Sequence, residues 1–252
     1  MQRIAILSDI HGNMPALEAV LADISKRGIK RIICLGDLAG KGPNPIEAVD
    51  RIRDCCEIVI RGNWDELIGR RLTDKLPFTW HEDRLGAERL QYLANLPFSY
   101  DMEMSGKRIR LVHASPQSVY HRVQPWDSEE RRLGMFDNTP ETGKSEEDPK
   151  PEVVGYGDIH NVYVQHMERR MLFNVGSVGN ALDMVQASYA ILEGVEGGSA
   201  LDPFSIQLVR VPYDIELAVQ HALEADVPEV EMYIRELRTG VYRGLQHIEN
   251  NS

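Results

Sequence analysis

The chain has 252 residues, 42 % of them hydrophobic and 27 % charged, with a formal net charge of −11. At this length folding buries roughly 70–75 % of the unfolded surface, so one large core forms without staples. The acid excess and the lack of a basic stripe exclude duplex nucleic-acid binding as an expectation, and no apolar run reaches membrane-spanning length.

The first strand pattern, Arg3 to Leu7, ends in Ser8-Asp9. Pro15 to Lys26 then reads as a helix, with Leu17, Val20, Leu21 and Ile24 on one face and Gly28 just past its end. A second strand, Arg31 to Leu35, breaks at Gly36-Asp37, and a helix is expected after Pro43-Asn44-Pro45. A third strand, Glu57 to Ile60, breaks at Gly62-Asn63. This alternation predicts an α/β domain with a parallel sheet, whose sites collect beyond the carboxyl ends of the strands.

Residues 64–99 read as mainly helical, and Arg108 to Val112 as a strand ending at His113. The polar, acidic stretch 116–150, above all Asp137 to Pro149, is expected to be a mobile loop. From Val153 the chain turns strand-rich (153–156, 162–167, 170–174, 187–193, 204–211), and a helical tail begins at Asp214. We expect one domain over 1–252, with insertions at about 64–105 and 116–150 and a tail over about 214–247. Cys34, Cys55 and Cys56 form no disulfide framework and read as reduced packing thiols. A vicinal Cys55-Cys56 disulfide is the other reading. No charged leader precedes the first strand, so a cytoplasmic protein without a signal peptide is expected.

The strand ends carry the chemistry. They read Ser8-Asp9-Ile10-His11-Gly12-Asn13, Gly36-Asp37, Gly62-Asn63, Val112-His113 and Gly157-Asp158-Ile159-His160. Asp, His and Asn are oxygen and imidazole donors suited to manganese, iron, zinc and related ions. Two residues apart on an extended strand end, Asp9 and His11 point the same way, as do Asp158 and His160. Neighbouring glycines admit close backbone approach. Any one of these is an ordinary turn; the ordered set is not.

That order resembles the calcineurin-like metallophosphoesterase family, whose pattern is D-x-H, G-D, G-N-H-D/E, a lone His, and G-H-x-H. Gly42-Pro43-Asn44-Pro45 and Asn174-Val175-Gly176-Ser177-Val178-Gly179 match its bacterial branch. Gly62-Asn63-Trp64-Asp65 and Val211-Pro212-Tyr213-Asp214 bear a looser likeness to a streptococcal member that cleaves diadenosine tetraphosphate asymmetrically. The resemblance implies a four-layer α/β/β/α sandwich with helical and loop insertions. It implies two divalent or mixed-valence ions, with manganese favoured and iron, zinc, nickel or cobalt as alternatives. Asp9, His11 and His160 would hold the first ion, Asn63 and His113 the second, and Asp37 would bridge them. A metal-bridging hydroxide would hydrolyse a small phosphodiester or phosphoanhydride, with a dinucleoside polyphosphate among the candidates. The alternatives are a phosphomonoesterase or protein phosphatase, or a metal-poor binding scaffold like the retromer subunit of this fold. Homo-oligomerisation is left open.

Two positions depart from the family pattern. Asp158 stands where a histidine normally holds the second ion; it reads as a replacement ligand favouring harder ions, or as a turn residue facing away. Trp64 stands where relatives often keep a histidine that protonates the leaving oxygen. Indole is no general acid at neutral pH, so Trp64 reads as a base-stacking or packing residue. Arg61, His81, His121, Arg122, Arg131 and Arg132 complete the candidates for substrate contact, with His121 foremost.

Overall fold

A computed structural model describes residues 1–245. The strands in chain order are β1 (Gln2–Leu7), β2 (Arg31–Cys34), β3 (Ile58–Val59), β4 (Ser99–Met104), β5 (Lys107–Val112), β6 (Val153–Tyr156), β7 (Val162–Met167), β8 (Arg170–Val175), β9 (Ala187–Gly194) and β10 (Ser205–Val211). The helices are α1 (Met14–Lys26), α2 (Pro45–Cys55), α3 (Asn63–Gly69), α4 (Leu76–Ala94), α5 (Glu129–Leu133), α6 (Ile215–Glu224) and α7 (Val230–Thr239). Two five-stranded sheets result, ordered β10-β9-β1-β2-β3 and β4-β5-β6-β8-β7. Both are mixed rather than purely parallel: β1, β2 and β3 run together but β9 and β10 oppose them, and β5, β6 and β8 run together between antiparallel β4 and β7.

The period of two along β1 explains the layering. Ile4 and Ile6 face the second sheet, in a core shared with Ile33, Leu111, Phe173 and Val175. Ala5 and Leu7 face the helices, in a core with Leu17, Val20, Ala48 and Ile52. All four residues of this run are fully buried, so β1 is apolar on both faces. Asn13 starts α1 by accepting from the Ala16 N–H (3.2 Å).

The outer layer on the second sheet departs from a simple helical one. It is the 116–150 segment, which sets Val123, Met135 and Phe136 against Val154, Tyr156 and Leu172. The stretch expected as a mobile loop is tethered. Thr139 caps a 3-10 turn at Pro140–Thr142, Asn138 is buried, and Arg110 donates to the Asp137 carbonyl (2.9 Å). Acidic composition hid these local caps. Strand β4 falls where the sequence read as helical or inserted. Its alternation is weak because it is an edge strand with half-buried residues. The tail beyond Asp214 is two helices, α6 and α7, packed with Trp80 in a separate small core; the end of the expected tail, 246–247, lies outside the described residues. Cys55 and Cys56 are free thiols with sulfurs 3.9 Å apart. Among the described residues no helix is long and apolar enough to cross a membrane.

Candidate metal centre

The carboxyl ends of the parallel strands from both sheets meet at one edge of the sandwich. Asp9 and His11 follow β1, Asp37 follows β2, and Asn63 opens α3 after β3; His113 follows β5, and Asp158 and His160 follow β6. Their geometry is not that of extended strand ends. Asp9, His11, Asp37, Asp158 and His160 all have positive φ, between 50° and 61°. Left-handed turns, rather than strand alternation, swing these side chains inward. Each such residue costs of order 1–3 kcal/mol unless its surroundings enforce it. The surroundings do: Ser177 donates through Oγ to the Asp9 carbonyl (2.8 Å), the Gly179 N–H donates to the same carbonyl (2.9 Å), and the His11 N–H donates to the Asp37 carbonyl (2.9 Å). The motif at 174–179 is therefore a cradle for the Asp9 turn.

Two ligand clusters result, Asp9–His11–His160 and Asp9–Asp37–His113, each with donor atoms within 4.8 Å of one another. In the first, His11 Nε2 and His160 Nε2 face each other at 3.2 Å, and His160 Nε2 lies 3.1 Å from Asp9 Oδ1. In the second, Asp37 Oδ2 lies 3.5 Å from His113 Nε2 and also 3.7 Å from His11 Nε2 in the first. Asn63 Oδ1 stands 3.0 Å from His113 Nε2. The Nδ1 atoms of His113 and His160 donate to the carbonyls of Leu35 and Asn180. In the neutral rings this leaves each Nε2 lone pair aimed at the cluster. Asp37 is aimed in turn: its Oδ1 accepts from the Trp64 N–H (2.9 Å). Buried Asp65, unremarked as a functional residue in the sequence, fixes that turn by accepting from the N–H groups of Asp37, Leu38 and Gly62 (2.7, 3.0 and 2.9 Å). A Cβ on Gly62 would stand 2.1 Å from Asp37 Oδ1, so glycine is required there.

The donor set fits cations. Asp9 Oδ1 and His11 Nδ1 are buried with no hydrogen-bond partner among the described residues. The facing His11 and His160 nitrogens need a proton or a metal between them. Burial works against charge on His113, yet Asp37, Asp9 and Asp158 outweigh it and raise its pKa to about 9. Burial also opposes ionisation of Asp9, but His160, His113 and His11 hold its carboxyl well below the usual carboxylate range. Burial pushes Asp37 the other way, well up. The centre is an acidic pocket that draws in positive charge.

The remaining candidates separate. Asp158 is buried, but neither cluster includes it; both of its carboxylate oxygens accept from Arg122, at 2.8 and 2.9 Å. Trp64 lines the cleft over the centre, stacked on Phe78 at 4.3 Å and edge-on to His11 at 5.8 Å. Arg61 is turned to Glu66 (3.4 Å) and the Leu96 carbonyl. His121 pairs with Ser115 and Gln117, and Arg131 with Asp127 and the Arg122 carbonyl. Arg132 donates to Gln165. His81 is buried behind Trp64, its pKa pushed down to about 3 by burial and Arg84. Besides Asp65, sequence reasoning passed over Lys41, Asn180, Tyr242 and Arg243, which sit at or beside the cleft. The only signal for Lys41 was its place between two glycines.

A two-sheet sandwich whose strand ends gather acids, imidazoles and an amide at a cleft of about 550 Å³ defines the class. The chain belongs to the calcineurin-like phosphoesterase superfamily, whose domain matches residues 2–197. It is 31 % identical to the uncharacterised protein MJ0912 of Methanocaldococcus jannaschii, over 90 % of this chain and 94 % of that one. It is 30 % identical to the phosphodiesterase YfcE of Escherichia coli over 36 % of this chain and 55 % of that protein. A metallophosphoesterase from Sphaerobacter thermophilus superposes with a TM-score of 0.75 at 27 % identity, covering 95 % of this chain and 99 % of that one. PH1004 of Pyrococcus horikoshii shares the fold, with a TM-score of 0.76 at 20 % identity, covering 96 % and 100 %.

Proposed function

We propose that the protein is a dinuclear metal-dependent hydrolase of small phosphodiesters or phosphoanhydrides, with nucleoside polyphosphates as the favoured class. The observation that carries this reading is the pair of clusters sharing Asp9 on the floor of an open cleft. Asp9, His11 and His160 would hold one ion, and Asn63 and His113 the other, with Asp37 between them. Asp158 joins the second set only where Arg122 releases it. Bound ions would supply Lewis-acid activation of the phosphoryl group and of the attacking water. This chain's own part is positioning: the Leu35 and Asn180 carbonyls fix the imidazole tautomers, Asp65 fixes the Asp37 turn, and the Trp64–Phe78 stack forms an aromatic wall beside the phosphate position.

The wall suits a nucleobase, since aromatic stacking contributes about 1–3 kcal/mol per base in single-strand binders. The test is a panel of diadenosine tetraphosphate, bis-p-nitrophenyl phosphate and p-nitrophenyl phosphate. Metal-stripped protein would be reconstituted with manganese, iron, zinc, nickel or cobalt, and bound metal counted by elemental analysis. Metal-dependent turnover of the first two, with two ions per chain, is expected. No turnover with any metal and no bound ion would return the chain to the scaffold reading.

A further inference from the structure

We propose that Lys41 recognises a second phosphate group next to the one at the metal centre, which makes a phosphoanhydride, rather than an ester of an uncharged alcohol, the substrate this cleft selects. This rests on the phosphoesterase reading above and narrows it. Lys41 is presented by an unusual turn. Its φ is +58°, and a Cβ on either flanking glycine would collide, at Gly40 with the Trp64 ring (2.4 Å) and at Gly42 with the His11 carbonyl (2.2 Å). The turn is thus wedged between the aromatic wall and a ligand-bearing loop. A lysine held in left-handed backbone has no local reason to be there, and such strain gathers at functional sites.

The charges around the cleft single Lys41 out. Arg122 is paired with Asp158 through its Nε and Nη2, and Arg243 is held by Glu236 and Glu229. Lys75 is exposed at the rim. Lys41 alone is partly buried with no carboxylate within ion-pair distance among the described residues; its Nζ donates to the neutral amide oxygen of Asn180 (2.6 Å). An ammonium has three donors, so two remain for an incoming anion. Asn180 also accepts from His160 through its backbone carbonyl, which ties the position of the ammonium to a ligand of the centre. Lys41 and His160 both line the main cleft and also a side pocket of about 150 Å³ that holds Trp126, Leu182 and Asn161. A group bound beside the scissile phosphate therefore meets Lys41. In hydrolysis, water forms the new P–O bond and loses its proton to solvent. The P–O bond to the second phosphate breaks, and its electron pair leaves on that phosphate's oxygen. Lys41 meets the charge on this departing group, which needs no protonation.

The experiment compares wild type, Lys41→Gln, Lys41→Arg and Asn180→Asp, each checked for folding by circular dichroism. Diadenosine tetraphosphate and bis-p-nitrophenyl phosphate are the substrates. Binding of pyrophosphate and orthophosphate to manganese-loaded protein is measured in parallel by calorimetry. Lys41→Gln should lose about 10–100-fold in kcat/KM on the anhydride, the scale of one charge-assisted hydrogen bond, and at most about fivefold on the diester. The preference for pyrophosphate over orthophosphate should fall about tenfold. Lys41→Arg should retain most of both, and Asn180→Asp, which pairs the ammonium, should mimic Lys41→Gln. Equal losses on the two substrates, or an unchanged pyrophosphate preference, overturn the assignment. If wild type cleaves the diester but not the anhydride, this proposal falls and the phosphoesterase reading stands. If it cleaves neither, the phosphoesterase reading falls, and the pyrophosphate preference decides Lys41 by itself. Should Lys41→Gln fail to fold, Asn180→Asp decides in its place.

Discussion

The two halves of the candidate centre are built differently. The half around Asp9, His11 and His160 is buried, with exposures of 0–4 %, and no arginine reaches its donors among the described residues. In the half around Asp37, Asn63 and His113 the carboxylate and imidazole are equally buried (2 % and 1 %), and Asn63 is the more open donor on the cleft. Asn63 is half-buried there, and the nearby carboxylate of Asp158 is already claimed by Arg122. One half is preorganised by backbone turns fixed during folding. The other is preorganised at Asp37, whose turn Asp65 fixes, but adds Asn63 and the neighbouring Asp158, side chains that also answer to whatever occupies the cleft. An ion in the first half is thus expected to be the tighter one, and occupancy of the second the more responsive to substrate and to mutation.

The strongest way to break this contrast is to remove Asp37, the carboxylate that stands between the two halves and is proposed to bridge them. Asp37→Asn should lower kcat by at least roughly 10³-fold and reduce metal stoichiometry in both halves. Near-normal rate with two ions retained would show that Asp37 bridges nothing. The next effect concerns the open half. Among the described residues, the cleft lining offers no imidazole besides His160, and His81 is buried with its pKa near 3. A well-matched general acid contributes about 10²–10⁴-fold, so its lack should appear as a steep fall of rate with leaving-group pKa across methyl phosphodiesters assayed at saturating manganese. A flat series would mean that some side chain supplies the proton.

A smaller effect sharpens the contrast directly. Arg122→Met frees Asp158 and should raise metal affinity of the second half by roughly tenfold, the scale at which groups bonded to ligands act. Asp158→Ala in that background should reverse the gain. Titration followed by elemental analysis reads both. If Arg122→Met leaves affinity unchanged, Asp158 is not a ligand in waiting.

The smallest effect lies behind the open half's aromatic wall. Buried His81 has a folded-state pKa of about 3 against an ordinary value near 6.5. The unfolded chain therefore binds the proton more readily, and stability is lost as pH falls from about 6.5 toward 3. At pH 5 the loss is about 2 kcal/mol, or roughly 4–8 °C in Tm for a chain of this size. His81→Phe should flatten that part of the Tm–pH curve. An unchanged slope would mean that the ring is protonated and paired in the fold.

Much of this was legible before the fold was known. Asp9, His11, Asp37, Asn63, His113 and His160 stood out as donors at strand ends, and the structure gathers them at one edge because parallel strands end together. The reason they converge was not legible. The sequence suggested extended alternation, whereas left-handed turns aim these side chains, and such turns at Asp or His leave no mark except a flanking glycine. The Arg122–Asp158 pair spans 36 positions and depends on how the 116–150 segment drapes over the second sheet. Its acid-rich composition read as disorder because Thr139, Asn138 and Arg110 act through side-chain bonds to backbone that no periodicity reveals. Lys41 looked like any turn lysine until its neighbours' charges could be paired off.

The candidate ligands are divided between the layers: Asp9, His11, Asp37 and Asn63 hang from the β1–β3 sheet, His113 and His160 from the β5–β6 sheet. A cation held by both sets is a rivet through the sandwich. The sheets cannot slide or part without giving up its coordination, so the same contact that serves chemistry also clamps the architecture. Chelation and heat then become one stress rather than two. Removing a bound cation should therefore lower Tm as well as activity.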